Sequence, residues 1–185
     1  MAPESDWTDG VVNYCWAGSG RELLVQTRES ILTANLINGI LEQRHLLSVP
    51  SRHVIGFGYT TNGWWIAARE QKGSVLLHTA AGDSRLIQGL EQEPVSKASL
   101  SPDGGVLACI FKNCSVAIWS ALEGNRLGGL RLALEGDDWD FLGEPRIANI
   151  NWSTDSQFLA IQADPPLDQL LLVDGRTCQF VATVS

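Results

Sequence analysis

Four times along the chain a polar turn is followed at fixed distance by a small or branched apolar triplet, and this recurrence restricts the fold more than any other feature. Aligning on Gly20, Gly63, Gly104 and Ser156 puts Leu23-Leu24-Val25, Ile66-Ala67-Ala68, Leu107-Ala108-Cys109 and Leu159-Ala160-Ile161 in register. The residue four positions before each turn end is Trp16, Tyr59, Leu100 or Trp152. An apolar triplet behind a turn reads as a strand covered on both faces. In the third copy, Ser101-Pro102-Asp103-Gly104 suits a type I turn, with the Asp carboxylate placed to bind backbone N–H groups.

A second set of matches lies downstream: Ile31-Leu32-Thr33, Val75-Leu76-Leu77, Val116-Ala117-Ile118 and Leu170-Leu171-Leu172. Gly39, Gly82 and Gly124 close three of the units, and Gly175 closes the fourth two residues early. The turn ends are 43, 41 and 52 residues apart. The first two values fall within the range of about 40–45 residues for a four-stranded propeller blade. The long third interval places an acidic insertion over residues 135–145. Four antiparallel four-stranded units are therefore expected, at about 11–47, 54–90, 95–134 and 146–185, behind a flexible polar N-terminus over 1–10. Leu32, Leu36, Ile40 and Leu41 have near-helical spacing, but Gly39 in their midst argues for two strands.

At this level the chain resembles WD40 repeats. Asn113 to Ser120 is similar to the family's Asp-Gly-Thr-Val-x-x-Trp-Asp segment, and Ser101–Gly104 matches its turn between the first and second strands. Only the third copy has Trp at the Trp position, as Trp119; the others have Ala34, His78 and Val173. The Asp of the Trp-Asp pair survives as Asp174, and no Gly-His dipeptide occurs. The resemblance implies an all-β propeller, either a four-bladed ring or part of a larger one, acting as a protein–protein interaction scaffold within an assembly.

A formal charge of −8 with scattered basic residues argues against a nucleic-acid surface, which needs clustered Lys and Arg. No run approaches the 18 or so apolar residues of a membrane helix, and residues 1–10 lack a signal-peptide pattern, so an intracellular, cytoplasmic setting is expected. The cysteines Cys15, Cys109, Cys114 and Cys178 share no CxxC spacing and read as small buried hydrophobes. In that setting the sequons at Asn113 and Asn151 are incidental.

Catalysis needs a constellation, and none assembles. His45, His53 and His78 have no paired spacing, no nucleophile elbow or phosphate loop occurs, and no cofactor or metal is implied. The candidate contact residues lie in two loops. Trp139, Asp140 and Phe141 sit in the acidic insertion, which reads either as a solvated loop whose aromatics fold back onto the blade or as a partner-facing loop, since aromatics within a polar rim are typical interface anchors. Asp164, Pro165 and Pro166 form a stiff segment in the fourth copy. The alternative is an enzyme or small-ligand binder using the channel between the first strands, where Asn13, Lys97 and Asn151 are the polar hints. Three ways of closing remain open: a four-bladed ring, a half-ring completed by oligomerisation, or part of a longer polypeptide.

Overall fold

The computed structural model describes residues 10–37, 40–50, 53–70, 74–88, 94–112, 114–131, 147–163 and 169–184. Within them the chain is all-β, with no α-helix among the described residues. Sixteen strands follow in order. The first sheet holds β1 (Val11–Trp16), β2 (Glu22–Thr27), β3 (Ser30–Ile37) and β4 (Ile40–Ser48). The second holds β5 (Val54–Thr60), β6 (Gly63–Arg69), β7 (Val75–Thr79) and β8 (Ser84–Ile87). The third holds β9 (Val95–Leu100), β10 (Val106–Phe111), β11 (Ser115–Ser120) and β12 (Arg126–Arg131). The fourth holds β13 (Ile147–Trp152), β14 (Phe158–Ala163), β15 (Gln169–Asp174) and β16 (Phe180–Val184).

Each sheet is an antiparallel meander of strands consecutive in sequence. The aligned turn ends share one backbone state. Gly20, Gly63 and Gly104 have φ of 66°, 110° and 77°, and Ser156 has φ of 61°. This is the left-handed region, which glycine enters without steric cost and serine does not. The turn chemistry also recurs at the side-chain level. Ser101 Oγ donates to Asp103 Oδ1 at 2.6 Å and accepts from Val106 N at 2.9 Å, while Gly105 N donates to Asp103 Oδ1 at 2.9 Å. In the fourth sheet Ser153, Asp155, Gln157 and Phe158 make the same three bonds at the same spacing.

The closing turns follow a similar rule with one departure. Gly82 and Gly124 have φ of 86° and 76°, but the left-handed residue of the fourth closing turn is Cys178, at 58°, and not Gly175. Asp174 holds that turn by accepting from Arg176 N and from Thr177 N and Oγ1.

The sheets stack face to face in chain order. Cross-strand pairing puts Leu107, Cys109, Ala117 and Trp119 on one face of the third sheet and Val106, Ala108, Ile110, Val116 and Ile118 on the other. The first set packs with Trp65, Ala67, Val75 and Leu77 of the second sheet. The second set packs with Leu159, Ile161, Ala163, Leu171 and Val173 of the fourth. Leu24 and Ile31 of the first sheet meet Ile66 of the second, with Cys15, Tyr59 and Trp64 packed around them. The inner strands β10 and β11 of the third sheet are thus buried on both faces, as their unbroken apolar runs require. Each fully buried Leu, Ile or Val in these seams contributes about 1.5–3 kcal/mol. The adjacent tryptophans divide between two seams: Trp65 enters one and Trp64 the other.

Candidate functional site

The first strands of the sheets lie against one another, β1 on β5, β5 on β9 and β9 on β13. Together they wall a cleft of about 330 Å³. Close approach of β5 to β9 depends on Gly56, where a Cβ would fall 2.1 Å from the Ala98 carbonyl oxygen. The strand pairing slips between Val54 and Gly56, a bulge at the position where the sequence has Gly56-Phe57-Gly58.

The polar side chains in the cleft are Asn13, Gln26, Ser96, Lys97, Ser99 and Asn149. Of the three residues expected at the channel, Asn13 and Lys97 are present. Asn151 is not, and Asn149 takes its place. Both asparagines project from the same side of β13, but Asn151 lies two residues, about 7 Å, further along the strand. Much of this polarity is already committed. Lys97 Nζ donates to the Ala148 carbonyl across the seam between the third and fourth sheets. Asn13 Oδ1 accepts from Tyr14 N, and Asn149 Oδ1 from Ile150 N. Ser96 Oγ donates to the Ile110 carbonyl. The cleft therefore offers a rigid polar wall without an acid–base pair. Among the described residues no group of three or more His, Cys, Asp or Glu is placed to hold a metal ion.

The loop candidates Trp139, Asp140, Phe141, Asp164, Pro165 and Pro166 lie outside the described residues. The strand ends that bracket them are described. Ile147 pairs directly with Ala163, and Ala163 with Gln169, so these ends lie side by side at one end of the fourth sheet.

The opposite end of the sheets carries the turns, which are tied across the seams. Thr61 N donates to the Pro102 carbonyl at 2.9 Å, and Arg85 Nη1 to the Ala121 carbonyl at 3.1 Å. Asp103 N donates to Ser156 Oγ at 3.1 Å, and Arg176 Nη2 sits 3.2 Å from Asp103 Oδ2. Burial opposes ionisation of Asp103, but the Ser101 hydroxyl, the Gly105 N–H and the Arg176 guanidinium outweigh it and hold the carboxyl below its usual range.

With this geometry in view the solved structures it resembles are informative. Hsv2 of Kluyveromyces marxianus matches over 89% of this chain and 49% of its own, with a TM-score of 0.62 and 14% identity. Kluyveromyces lactis Hsv2 matches over 89% and 49%, at a TM-score of 0.61 and 15% identity. A form of that protein with its loop 6CD replaced by a Gly-Ser linker matches over 94% and 53%, at 0.64 and 14%. The chain has a β-propeller fold. It spans about half the length of the propellers it matches. No protein-family model matches the sequence, and no curated protein matches it.

Proposed function

We propose that the chain is a WD40-like propeller module that holds other proteins in an assembly and performs no chemistry of its own. In this reading the sheets are the rigid part and the connections between them carry recognition, the usual division of labour on such scaffolds. The observation that carries it is the adjacency of Ile147, Ala163 and Gln169: the strand end that follows the insertion and the two ends that bracket residues 164–168 share one end of the fourth sheet. Trp139 and Phe141 supply apolar anchors within an acidic segment, which suits a basic partner surface. The cytoplasmic setting belongs to the same reading, and the four cysteines carry no disulfide.

The test places a photo-crosslinking residue at position 139 or 165 and compares capture with that of a Trp139→Ala, Phe141→Ala variant of equal thermal stability. Discrete crosslinked proteins that vanish in the variant support the reading. Capture unchanged by the variant removes this loop from it. A second reading, a small-ligand binder, rests on the polar wall of the axial cleft, and tight binding lost on Lys97→Met would favour it.

A further inference from the structure

The two outer faces of the sheet stack are the two unmatched halves of the seam that recurs inside it. At the position four residues before each turn end, Tyr59, Leu100 and Trp152 all pack into the seam with the preceding sheet. The equivalent residue of the first sheet, Trp16, meets no other sheet among the described residues and is 60% exposed, with Tyr14 beside it on the same face at 61%. At the first position of each third-strand run, Ile31, Val75 and Val116 are 0% exposed and face the following sheet. The equivalent residue of the fourth sheet, Leu170, is 39% exposed.

Strand pairing extends both faces. On the first sheet Trp16 and Tyr14 stand over Leu23 and Val25, which pair with Ala34 and Leu32. Val25 and Ala34 are already buried, while Leu23 and Leu32 are half-buried. On the fourth sheet Leu170 lies with Leu172, Ala160 and Phe158, all half-buried, and with exposed Gln162. Inside the stack every face of the first kind covers a face of the second kind. The knob on the first sheet and the bare surface on the fourth are therefore complementary in the way that three existing seams already are.

We propose that two copies of this chain associate head to tail, the first sheet of each covering the fourth sheet of the other, to close an eight-bladed ring. The contact is heterologous, and two such contacts related by a twofold axis close the assembly. Closure makes the second contact intramolecular, which strengthens both. Eight sheets lie within the range of about four to eight for closed propellers. This association is independent of what the loops recognise.

Sedimentation velocity of the 185-residue chain at micromolar to submillimolar concentration tests it, with the single variants Trp16→Glu and Leu170→Arg and their mixture. Both sites are exposed, and circular dichroism with thermal melts checks that each variant folds. The expected result is a species of twice the chain mass for the natural sequence and monomers for each variant alone. Mixing the variants restores the dimer, because one contact is then formed by two unaltered faces and the other pairs Glu with Arg. A monomer at every concentration overturns the proposal. So does a dimer that survives either single variant, which indicates a contact between like faces. Open-ended polymers overturn the closed ring.

Discussion

The backbone N–H of Asp103 donates to the side-chain oxygen of Ser156 at 3.1 Å, joining the turn of the third sheet to the equivalent turn of the fourth. Ser156 does this from the left-handed region, at φ 61°, where its three counterparts are glycine. The serine thus trades local strain for a bond between sheets. Strain of this kind costs about 1–2 kcal/mol for a non-glycine residue, and one such hydrogen bond contributes about 1 kcal/mol net. Ser156→Ala keeps the strain and loses the bond, so a loss of about 1 kcal/mol is expected in urea denaturation. Ser156→Gly removes both and should unfold at nearly the natural midpoint. Equal destabilisation by the two variants would show that the strain is not what sets this position.

Two glycines fix how closely sheets approach. A Cβ at Gly56 meets the Ala98 carbonyl oxygen at 2.1 Å, and one at Gly128 meets the Thr177 carbonyl oxygen at 2.0 Å. Neither neighbour is a flexible side chain, so Gly56→Ala and Gly128→Ala must spread a seam. Each should lose stability at or above the upper end of the 1–3 kcal/mol or so typical of overpacking. Gly18→Ala, with nothing within 4 Å of its Cβ, should unfold at the natural midpoint in the same assay.

Trp119 is the largest fully buried side chain, with the Phe111 ring 6.0 Å away and the Arg126 guanidinium 6.0 Å above its own ring. Trp119→Ala should cost about 3–5 kcal/mol, a large share of the 5–15 kcal/mol or so of a whole domain. Thermal melting should show a much larger loss than for Leu122→Ala, because Leu122 is 74% exposed.

Acid should weaken the fold in two steps. Burial holds His78 below its usual 6.5 against the pull of Glu70, so the folded state prefers the neutral ring and loses stability as pH falls below about 6.5. Asp155 and Asp174 are held below their usual 3.8, the first by the Ser153 hydroxyl and Gln157 N–H, the second by the Arg176 and Thr177 N–H groups. Carboxyls with lowered pKa bind fewer protons folded than unfolded. Their contribution is complete above the usual carboxylate range and disappears as pH falls through the folded pKa. Melting temperature followed from neutral pH downward should show both declines, with His78→Gln removing the upper one and Asp174→Asn reducing the lower.

Much of the fold was legible because a blade repeats the same burial problem. Turn ends at Gly20, Gly63, Gly104 and Ser156 announced themselves through spacing, and the near-helical pattern over residues 32–41 gave way to β3, ending at Ile37, and β4, beginning at Ile40. Interactions between sheets were not legible. No local pattern signals that Arg176 reaches Asp103, or that Lys97 reaches Ala148, since those pairs are 73 and 51 residues apart. The channel residue was misplaced by two positions for the same reason: Asn149 and Asn151 share a face of β13, and of the two Asn149 lines the cleft. Gly175 misled because residue type alone marked the turn, whereas Asp174 bonds the N–H groups after it and passes the left-handed position to Cys178.

Cross-strand nuclear Overhauser contacts in the labelled chain test the stacked-sheet account most directly. The account predicts extended-chain chemical shifts over residues 31–37, 40–48, 106–111 and 115–120, with contacts pairing Leu107 to Trp119 and Leu32 to His45. Methyl contacts from Val116 and Ile118 to Leu159 and Ile161 should then bridge the third and fourth sheets. Helical shifts across residues 31–46 or 106–118, or the absence of those methyl contacts, would contradict it.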